Sequence, residues 1–352
     1  MRVAITVDPY VPVPPRLYGG IERVADIVVR GLSERGHRVT LFAHPESCTA
    51  GRLIPYGAPP HSGWRPRLTE LWQVGNALWR RRRELDVVFS WGRLAALLPI
   101  LPYRGLPKIQ RYCRNLVPWR GVRTAVRIAG SSIRFAGASA SVYDERPAQG
   151  KYGGRWSTVY DGVETSKYTF VPRVPRDAPL VFLGRIERVK GAHSAIAIAR
   201  EAGRKLVIAG NRSTQGEEAA YFEQEIAPHL DGNAIRYVGR VDDAQKNQLL
   251  GSASALLFPV QWKEAFGIVM AEAFACGTPV IGFPCGSVPE VIKEGVNGFV
   301  CRGVSEAVCA VGDLDRIDRT ATRADCEARF SAKALVDAVE RLLVEVVSPR
   351  GA

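Results

Sequence analysis

The sequence predicts an α/β protein made of two doubly wound parallel sheets, each in its own domain. Three observations support this. The chain has 352 residues, enough for two cores at about 150 residues per domain. Short apolar runs alternate with amphipathic stretches at the start of the chain and again from residue 180 onward, as strands and crossover helices do in a parallel sheet. Between them, Thr165 to Pro179 has linker composition, with Pro172, Pro175 and Pro179 set among charges. The domain boundary is therefore placed here, giving residues 1–165 and 166–330.

Val3 to Val7 alternates little and suits a buried strand. After the Pro-rich loop Pro9 to Pro15, Gly19-Gly20 opens a helix with Ile21, Val24, Ile27, Val28 and Leu32 on one face, and Arg38 to Ala43 is the next strand. In the second half, strands are expected at Leu180–Leu183, Lys205–Ala209, Ile235–Val238, Ala253–Phe258 and Pro279–Gly282. Helices are expected at Gly191–Ala202, Asp243–Leu250, Phe266–Ala275 and from about Val288. A last helix, Ser331 to Val347, carries Leu335, Val336, Val339, Leu342 and Leu343 at helical spacing and must pack against something.

With 46% hydrophobic and 24% charged residues, a disordered, fibrous or disulfide-stapled chain is excluded. The longest strongly apolar stretch, Leu94 to Pro102, is far short of the roughly 20 residues of a membrane span. Met1 and Arg2 lead straight into an apolar strand without a signal-peptide cleavage region, so a cytoplasmic protein is expected. The seven cysteines include no CxxC pair, which fits neither a zinc site nor a disulfide framework.

Charge is unevenly placed. The first 165 residues hold 25 Lys and Arg against 12 Asp and Glu, which accounts for the whole excess of +13. From Val87 to Tyr143 there is no acidic residue, whereas Arg93, Arg104, Lys108, Arg111, Arg114, Arg120, Arg123, Arg127 and Arg134 all lie there. This half is expected to meet an anion: nucleic acid, an acidic glycan or a membrane surface.

Open α/β sheets bind ligands at the carboxyl ends of their strands, so loops after strands hold the candidates. Gly184-Arg185 follows one strand, and Lys190-Gly191 comes shortly after it at a helix start. Two cations beside a helix N-terminus suit a diphosphate, although such residues taken alone are more often a solvated surface turn. Glu264 and Glu272 flank Phe266-Gly267-Ile268, eight residues apart and two turns along one face. Paired carboxylates accept hydrogen bonds from vicinal hydroxyls, as on a sugar or ribose, and the helix start offers backbone N–H groups. The bland alternative is one exposed and one capping glutamate. Gly19-Gly20 lacks the spacing of a dinucleotide fingerprint but would let backbone approach a phosphate. His37 and His193 read as structural, and no Ser/His/Asp set, HExxH or P-loop is present.

Taken together, these pieces resemble the family-4 glycosyltransferases. The resemblance rests on Glu264-Ala-Phe-Gly-Ile-Val-Met-Ala-Glu272, then Ala-Phe-Ala-Cys-Gly-Thr-Pro-Val280 and Gly286-Ser-Val-Pro-Glu-Val-Ile292. Supporting it are Tyr18-Gly-Gly-Ile-Glu-Arg23, Arg35-Gly-His-Arg-Val-Thr-Leu-Phe42, Val159-Tyr-Asp-Gly-Val163, Gly184-Arg185 with Lys190-Gly191, and Val238-Gly-Arg-Val241. It implies the GT-B architecture, two Rossmann-like domains facing across a cleft, with the N-terminal domain taking the acceptor and residues 331–352 packing back onto it. It also implies a retaining hexosyltransferase that uses a nucleoside-diphosphate sugar, with either UDP or GDP as the nucleotide. Glu264 would contact the donor sugar and Glu272 the ribose, with Arg185 and Lys190 on the diphosphate. Gly19, Gly20, Gly184 and the backbone of Phe266, Gly267 and Ile268 would approach the phosphates. Gly210, Asn211, Arg240 and Val241 would border the base. No metal or other cofactor is implied, because fixed cations and N–H groups supply the electrostatics.

Two departures from the family pattern stand out. The strand ends Val88-Phe-Ser-Trp-Gly92 and Ile109-Gln-Arg-Tyr-Cys113 lack the histidine common in relatives, and Ser287 stands where a second glycine is usual. The resemblance implies a cell-envelope glycan or lipid-linked acceptor, in lipopolysaccharide, capsule or exopolysaccharide assembly. The basic half would then lie at the inner membrane face as a peripheral protein. Trp119, Val122, Val126 and Ile133 interleaved with Arg120, Arg123, Arg127 and Arg134 would make an interfacial helix, as would Leu68 to Arg83 with Trp72 and Trp79. The alternatives are a transferase acting on a small soluble metabolite, a phosphorylase of the same fold, and, more distantly, a nucleic-acid-binding protein. Nucleic acid is not expected as a partner, because no recognition motif accompanies the charge.

Overall fold

The computed structural model describes residues 1–16, 19–57, 64–144 and 153–348, with the backbone alone for 64–67. Tyr18 of the Tyr18–Arg23 motif and the last four residues of the closing segment lie outside these. The chain divides into two compact units. Unit 1 is Met1–Asp161 with Ala332–Ala352, and unit 2 is Gly162–Ser331. The first crossing is thus at Asp161–Gly162, earlier than the boundary at 165 read from composition.

Unit 1 contains β1 (Arg2–Thr6), α1 (Gly20–Glu34), β2 (Arg38–Ala43), β3 (Arg52–Pro55), α2 (Trp64–Arg81), β4 (Val87–Ser90), β5 (Lys108–Tyr112), α3 (Trp119–Ala129), β6 (Ile133–Gly137) and β7 (Trp156–Thr158). All the strand pairs are parallel, in the order β3-β2-β1-β4-β5-β6-β7. Covered on both faces, β1 and β4 are buried through Val3, Ala4 and Ile5 and through Val87, Val88 and Phe89, and Ile5 pairs in register with Leu41 on one side and Phe89 on the other. α1 buries Val24, Ile27, Val28 and Leu32. The C-terminal helix, Ala332–Val347, lies along α1 so closely that a Cβ on Gly31 would come within 2.5 Å of Val336. Arg35 fixes its register by pairing with Asp337 and Glu340, and His37 also reaches Glu340.

One expected helix is shorter than its pattern suggested. α3 stops at Ala129, where Gly130 turns with φ 60°. Ile133 and Arg134 belong instead to β6, with Arg134 buried against Glu345. Of α3's apolar residues, Val122 is in the core, and Arg120, Arg123 and Arg127 face solvent.

Unit 2 contains β8 (Leu180–Leu183), α4 (Ala192–Glu201), β9 (Leu206–Ala209), α5 (Gly216–Tyr221), β10 (Ile235–Tyr237), α6 (Asp243–Ser252), β11 (Ala255–Phe258), α7 (Ile268–Ala275), β12 (Val280–Gly282), α8 (Val288–Val291), β13 (Gly298–Val300), α9 (Val304–Gly312) and α10 (Arg319–Phe330). Its parallel sheet runs β10-β9-β8-β11-β12-β13 over a core of Leu180, Phe182, Ile196, Ile208, Leu257 and Ile281. α6 starts with a capping box between Asp242 and Gln245.

The stretch with linker composition is tied to unit 2 through its first residues, whereas Pro172, Arg173, Pro175, Arg176 and Asp177 are exposed. Thr169 N–H donates to Asn247 (2.9 Å) and Val171 N–H to the Cys276 carbonyl (3.1 Å). Buried Arg319 donates to the carbonyls of Val171 (2.7 Å), Ala253 (3.0 Å) and Gly251 (3.1 Å), tying this stretch to the interior. Proline content reports the lack of a backbone ladder here, and side-chain donors take the ladder's place.

Lys108, at the start of β5, is fully buried, and its ammonium donates to the Tyr103 carbonyl (2.7 Å) and to Ser132 Oγ (3.1 Å). Burial pushes the amine down to about 8, against about 10.4 in an unfolded chain. Between those values the folded state holds fewer protons than the unfolded state, so this residue favours folding more as pH rises. The wild-type-minus-Lys108→Met stability difference, read from urea melts, should therefore move in the wild type's favour between pH 7 and pH 10. A difference that stays constant would contradict the burial of an ionisable amine.

Candidate active site

In unit 2 the strand order reverses between β8 and β11, and this is where an open parallel sheet presents a crevice at its strand ends. The loops leaving those ends are held together by backbone. Gly191, with φ +79°, precedes α4, and a Cβ there would sit 2.1 Å from the Pro259 carbonyl oxygen, in the loop after β11. Gly286, with φ +64°, follows β12, and a Cβ there would sit 2.1 Å from the Glu264 carbonyl oxygen. The same carbonyl accepts from Ser287 N–H at 2.9 Å. Only glycine permits approaches this close.

The consequence is a built contact between loops far apart in sequence. Lys190 Nζ donates to Glu264 Oε2 at 2.7 Å and stands over the Trp262 ring, and Trp262 Nε1 donates to the same oxygen at 3.0 Å. Oε1 of Glu264 meets the N–H of Ala265 at 3.2 Å. Glu272, buried on α7, is held the same way. Its Oε1 accepts from Lys246 Nζ at 2.6 Å and Tyr168 OH at 2.8 Å, and among the described residues its Oε2 has no hydrogen-bond donor. Each acid thus gives one oxygen to a lysine and an aromatic donor and turns the other elsewhere.

The expected cation pair is divided. Lys190 joins Glu264, whereas Arg185 pairs with Glu187 on its own loop and is half exposed. Phe266 contributes only backbone, because its ring is buried edge-on against Phe330. Gly267 precedes α7 in a left-handed conformation, and no side chain caps the helix, so the first N–H groups from Ile268 onward lack a side-chain acceptor. Gly184, Gly210 and Gly239 are joined by backbone, with Gly210 N–H donating to Gly239 and Gly184 N–H to Ala209. Asn211's carbonyl accepts from Ile186. Arg240 beside them is exposed and Val241 half-buried. Gly19 and Gly20 belong to unit 1, just before and at the first residue of α1.

Ser287 occupies an ordinary helical conformation and is fully buried, so the turn depends on Gly286 rather than on a second glycine. The two strand ends without histidine are those of β4 and β5. There Arg111, fully buried, donates to Asp161 (2.6 Å), the Val159 carbonyl (2.8 Å) and Cys113 Sγ (2.8 Å). Burial pushes the Cys113 thiol up to about 12, leaving it protonated at neutral pH. His193 is engaged with Tyr221 and Gln261, and burial lowers its pKa. Among the described residues no group of three His, Cys, Asp or Glu side chains is placed to hold a metal ion.

Sequence reasoning missed Lys246, Tyr168 and Trp262. Lys246 and Tyr168 lie 26 and 104 residues from Glu272, and no local pattern announces that pairing. Trp262 stands two residues before Glu264, close enough to be found by asking which donors flank the acid.

Residues 170–311 match the family model described as "Glycosyl transferases group 1", and residues 18–117 match "Glycosyltransferase Family 4". The chain is 31% identical to the glycogen synthase of Mycobacterium tuberculosis over 45% of its own length, a match that spans only 40% of that enzyme. It is 27% identical to D-inositol 3-phosphate glycosyltransferase 1 of Catenulispora acidiphila over 92% of this chain and 90% of the relative. In fold it is similar to Anabaena HepE in complex with UDP, with TM-score 0.74, 18% identity, and 98% and 100% of the two chains covered. It is likewise similar to the lipopolysaccharide outer core galactosyltransferase WaaB, with TM-score 0.71, 16% identity, and 98% and 99% covered. The two models fall one on each unit and between them take in more than half of the chain, which therefore belongs to the group 1, family-4 glycosyltransferases of GT-B fold.

Proposed function

We propose that the chain moves a hexosyl group, with retention at the anomeric carbon, from a UDP- or GDP-sugar to a hydroxyl of a cell-envelope glycan or lipid-linked acceptor. The observation that carries this reading is the matched pair of buried acids. Glu264 and Glu272 each give one oxygen to a lysine and an aromatic donor; Glu264 Oε1 accepts from the Ala265 N–H alone and Glu272 Oε2 has no donor among the described residues, so both acids keep lone pairs for ligand hydroxyls. In this reading Glu264 takes the donor sugar and Glu272 the ribose. Lys190, Arg185 and the N–H groups of Phe266, Gly267 and Ile268 face the diphosphate, while Gly184 gives it room. Gly210, Asn211, Arg240 and Val241 border the base.

The bond from the anomeric carbon to the phosphate oxygen breaks, and charge develops on the leaving phosphate. Fixed cations and N–H groups stabilise that charge more in the transition state than in the ground state, so the reaction needs no metal ion. The acceptor hydroxyl attacks from the same face, and its proton passes to the departing phosphate oxygen. HepE's description as a UDP complex supports the donor class, and the likeness to WaaB supports an envelope acceptor. A second reading, transfer to a small soluble molecule, is favoured by the D-inositol 3-phosphate transferase relative.

The basic half of the sequence supports adsorption to an anionic membrane face as a peripheral protein. α2 exposes Leu68 and Trp72, with Trp79 partly exposed on the same face, and Arg80 and Arg83 lie beyond them. No described helix is long and apolar enough to cross a membrane.

UDP or GDP should raise the melting temperature. Glu272→Ala should lose that shift, whereas Gly286→Ala, which displaces Glu264, should keep nucleotide binding and lose transfer. Stabilisation by duplex DNA alone, unaffected by Glu272→Ala, would instead support a nucleic-acid-binding protein. Lys190→Ala should slow transfer by about 10²–10³-fold, and product NMR from a UDP-α-sugar should show an α-linkage; a β-linkage would refute retention. In sedimentation assays the chain should bind vesicles containing anionic lipid but not neutral ones, and Leu68→Glu with Trp72→Glu should weaken this. Equal binding to both vesicle types would remove the membrane reading.

A further inference from the structure

In unit 1 the strand order reverses between β1 and β4, which puts its ligand crevice at the carboxyl ends of these strands. Asp8 lies just beyond β1, Gly92 and Arg93 beyond β4, Arg114 beyond β5, and Glu22 in the first turn of α1. A Cβ on Gly92 would sit 2.9 Å from Asp8 Oδ1, so the glycine leaves that carboxylate its space. Glu22 folds back over Gly19, its Oε2 2.8 Å from where a Cβ would be.

Of the guanidinium groups nearby, those of Arg93 and Arg111 are already engaged. Arg93 donates to Glu70 at 2.8 Å and reaches Asp8 only at 3.4 Å, and Arg111 is bound to Asp161 at 2.6 Å. Arg114, exposed, acts on Asp8 and Glu22 through space. Burial raises the pKa of both carboxyl groups, and Asp8 raises that of Glu22 further. Beside them Gln110, fully buried, donates from Nε2 to the Gly92 carbonyl at 2.7 Å. Its Oε1 and the Nε1 of Trp91 are buried and have no partner among the described residues. Buried groups left without a partner cost free energy.

This corner therefore differs from the basic unit around it. Asp8, Glu22, Glu70 and Asp161 outnumber Arg93, Arg111 and Arg114. A phosphate ester entering here would meet the carboxylates of Asp8 and Glu22 and find the guanidinium groups of Arg93 and Arg111 taken, with exposed Arg114 left to pair with it. Hydroxyl or ammonium groups would find acceptors in Asp8 and Glu22.

Resting on the transferase reading above, we infer that the acceptor presents an unphosphorylated polyol, a neutral or amino sugar, to Asp8 and Glu22, and that this site discriminates against phosphate esters. The test is ligand-observed NMR on the full chain, with and without UDP and GDP. The probes are methyl α-glucopyranoside, methyl glucosaminide, myo-inositol, glucose 6-phosphate and inositol 3-phosphate. At least one unphosphorylated probe is expected to bind more tightly than the phosphates. Asp8→Asn and Glu22→Gln should each weaken it by about tenfold and erase the preference. Gly92→Ala should act in the same direction by displacing Asp8, and it decides the matter if a carboxylate variant fails to fold. Tighter binding of a phosphate, no polyol binding, or variants that bind like the wild type would each overturn the inference. Nucleotide stabilisation should be the same in the wild type and these variants. Its absence from the wild type would sink the transferase reading, while the polyol preference would still be read directly from the probes.

Discussion

Unit 2 depends on main chain lying against main chain where its strands end. The Glu264 carbonyl sits against Gly286 and accepts from Ser287, and the Pro259 carbonyl sits against Gly191. A backbone contact has no rotamers, so loops joined this way place their side chains with little freedom. Lys190 can therefore reach Glu264 from 74 residues away at 2.7 Å. The acid's position follows from two left-handed glycines more than from its own side-chain preferences.

The sheet of unit 2 was legible because β8, β9 and β11 are apolar runs bounded by turn residues. Glu264 and Glu272 were legible because both lie within one short local pattern. What escaped is tertiary. β13 spans only Gly298–Val300, too short to show any period, and Lys246 and Tyr168 meet Glu272 only because separate segments converge on it. Two readings of composition left out tertiary detail. The stretch before β8 is anchored as far as Val171, to which Arg319 donates, while Pro172 and Pro175 beyond it are exposed, and the amphipathic pattern around α3 was cut by Gly130. The polar corner near Asp8 was hidden by the arithmetic of a basic half, since a sum over 165 residues says nothing of which charges face one another.

Cations held out of solvent serve two different purposes in this chain. Lys190 and Lys246 meet carboxylates at the strand ends of unit 2. Arg319 and Lys108 sit among carbonyl and hydroxyl oxygens, where burial lowers their pKa to about 10 and about 8. The first arrangement leaves carboxylate oxygens for a ligand, and the second satisfies backbone that has no other donor. A long basic side chain therefore marks a site only when its partner has hydrogen-bonding capacity left over.

The C-terminal helix also bears on how the protein is made. Unit 2 is one continuous stretch, Gly162–Ser331, whereas unit 1 takes its last element from Ala332 onward. Synthesis from the N-terminus therefore delivers all of unit 2 before unit 1 is complete. Until Val336 arrives, the surface around Gly31 lacks its covering, and Arg35 and His37 lack Asp337 and Glu340. The first domain to emerge from the ribosome is thus the last to finish folding, and a chain cut short before residue 332 would leave that face of α1 open to other molecules.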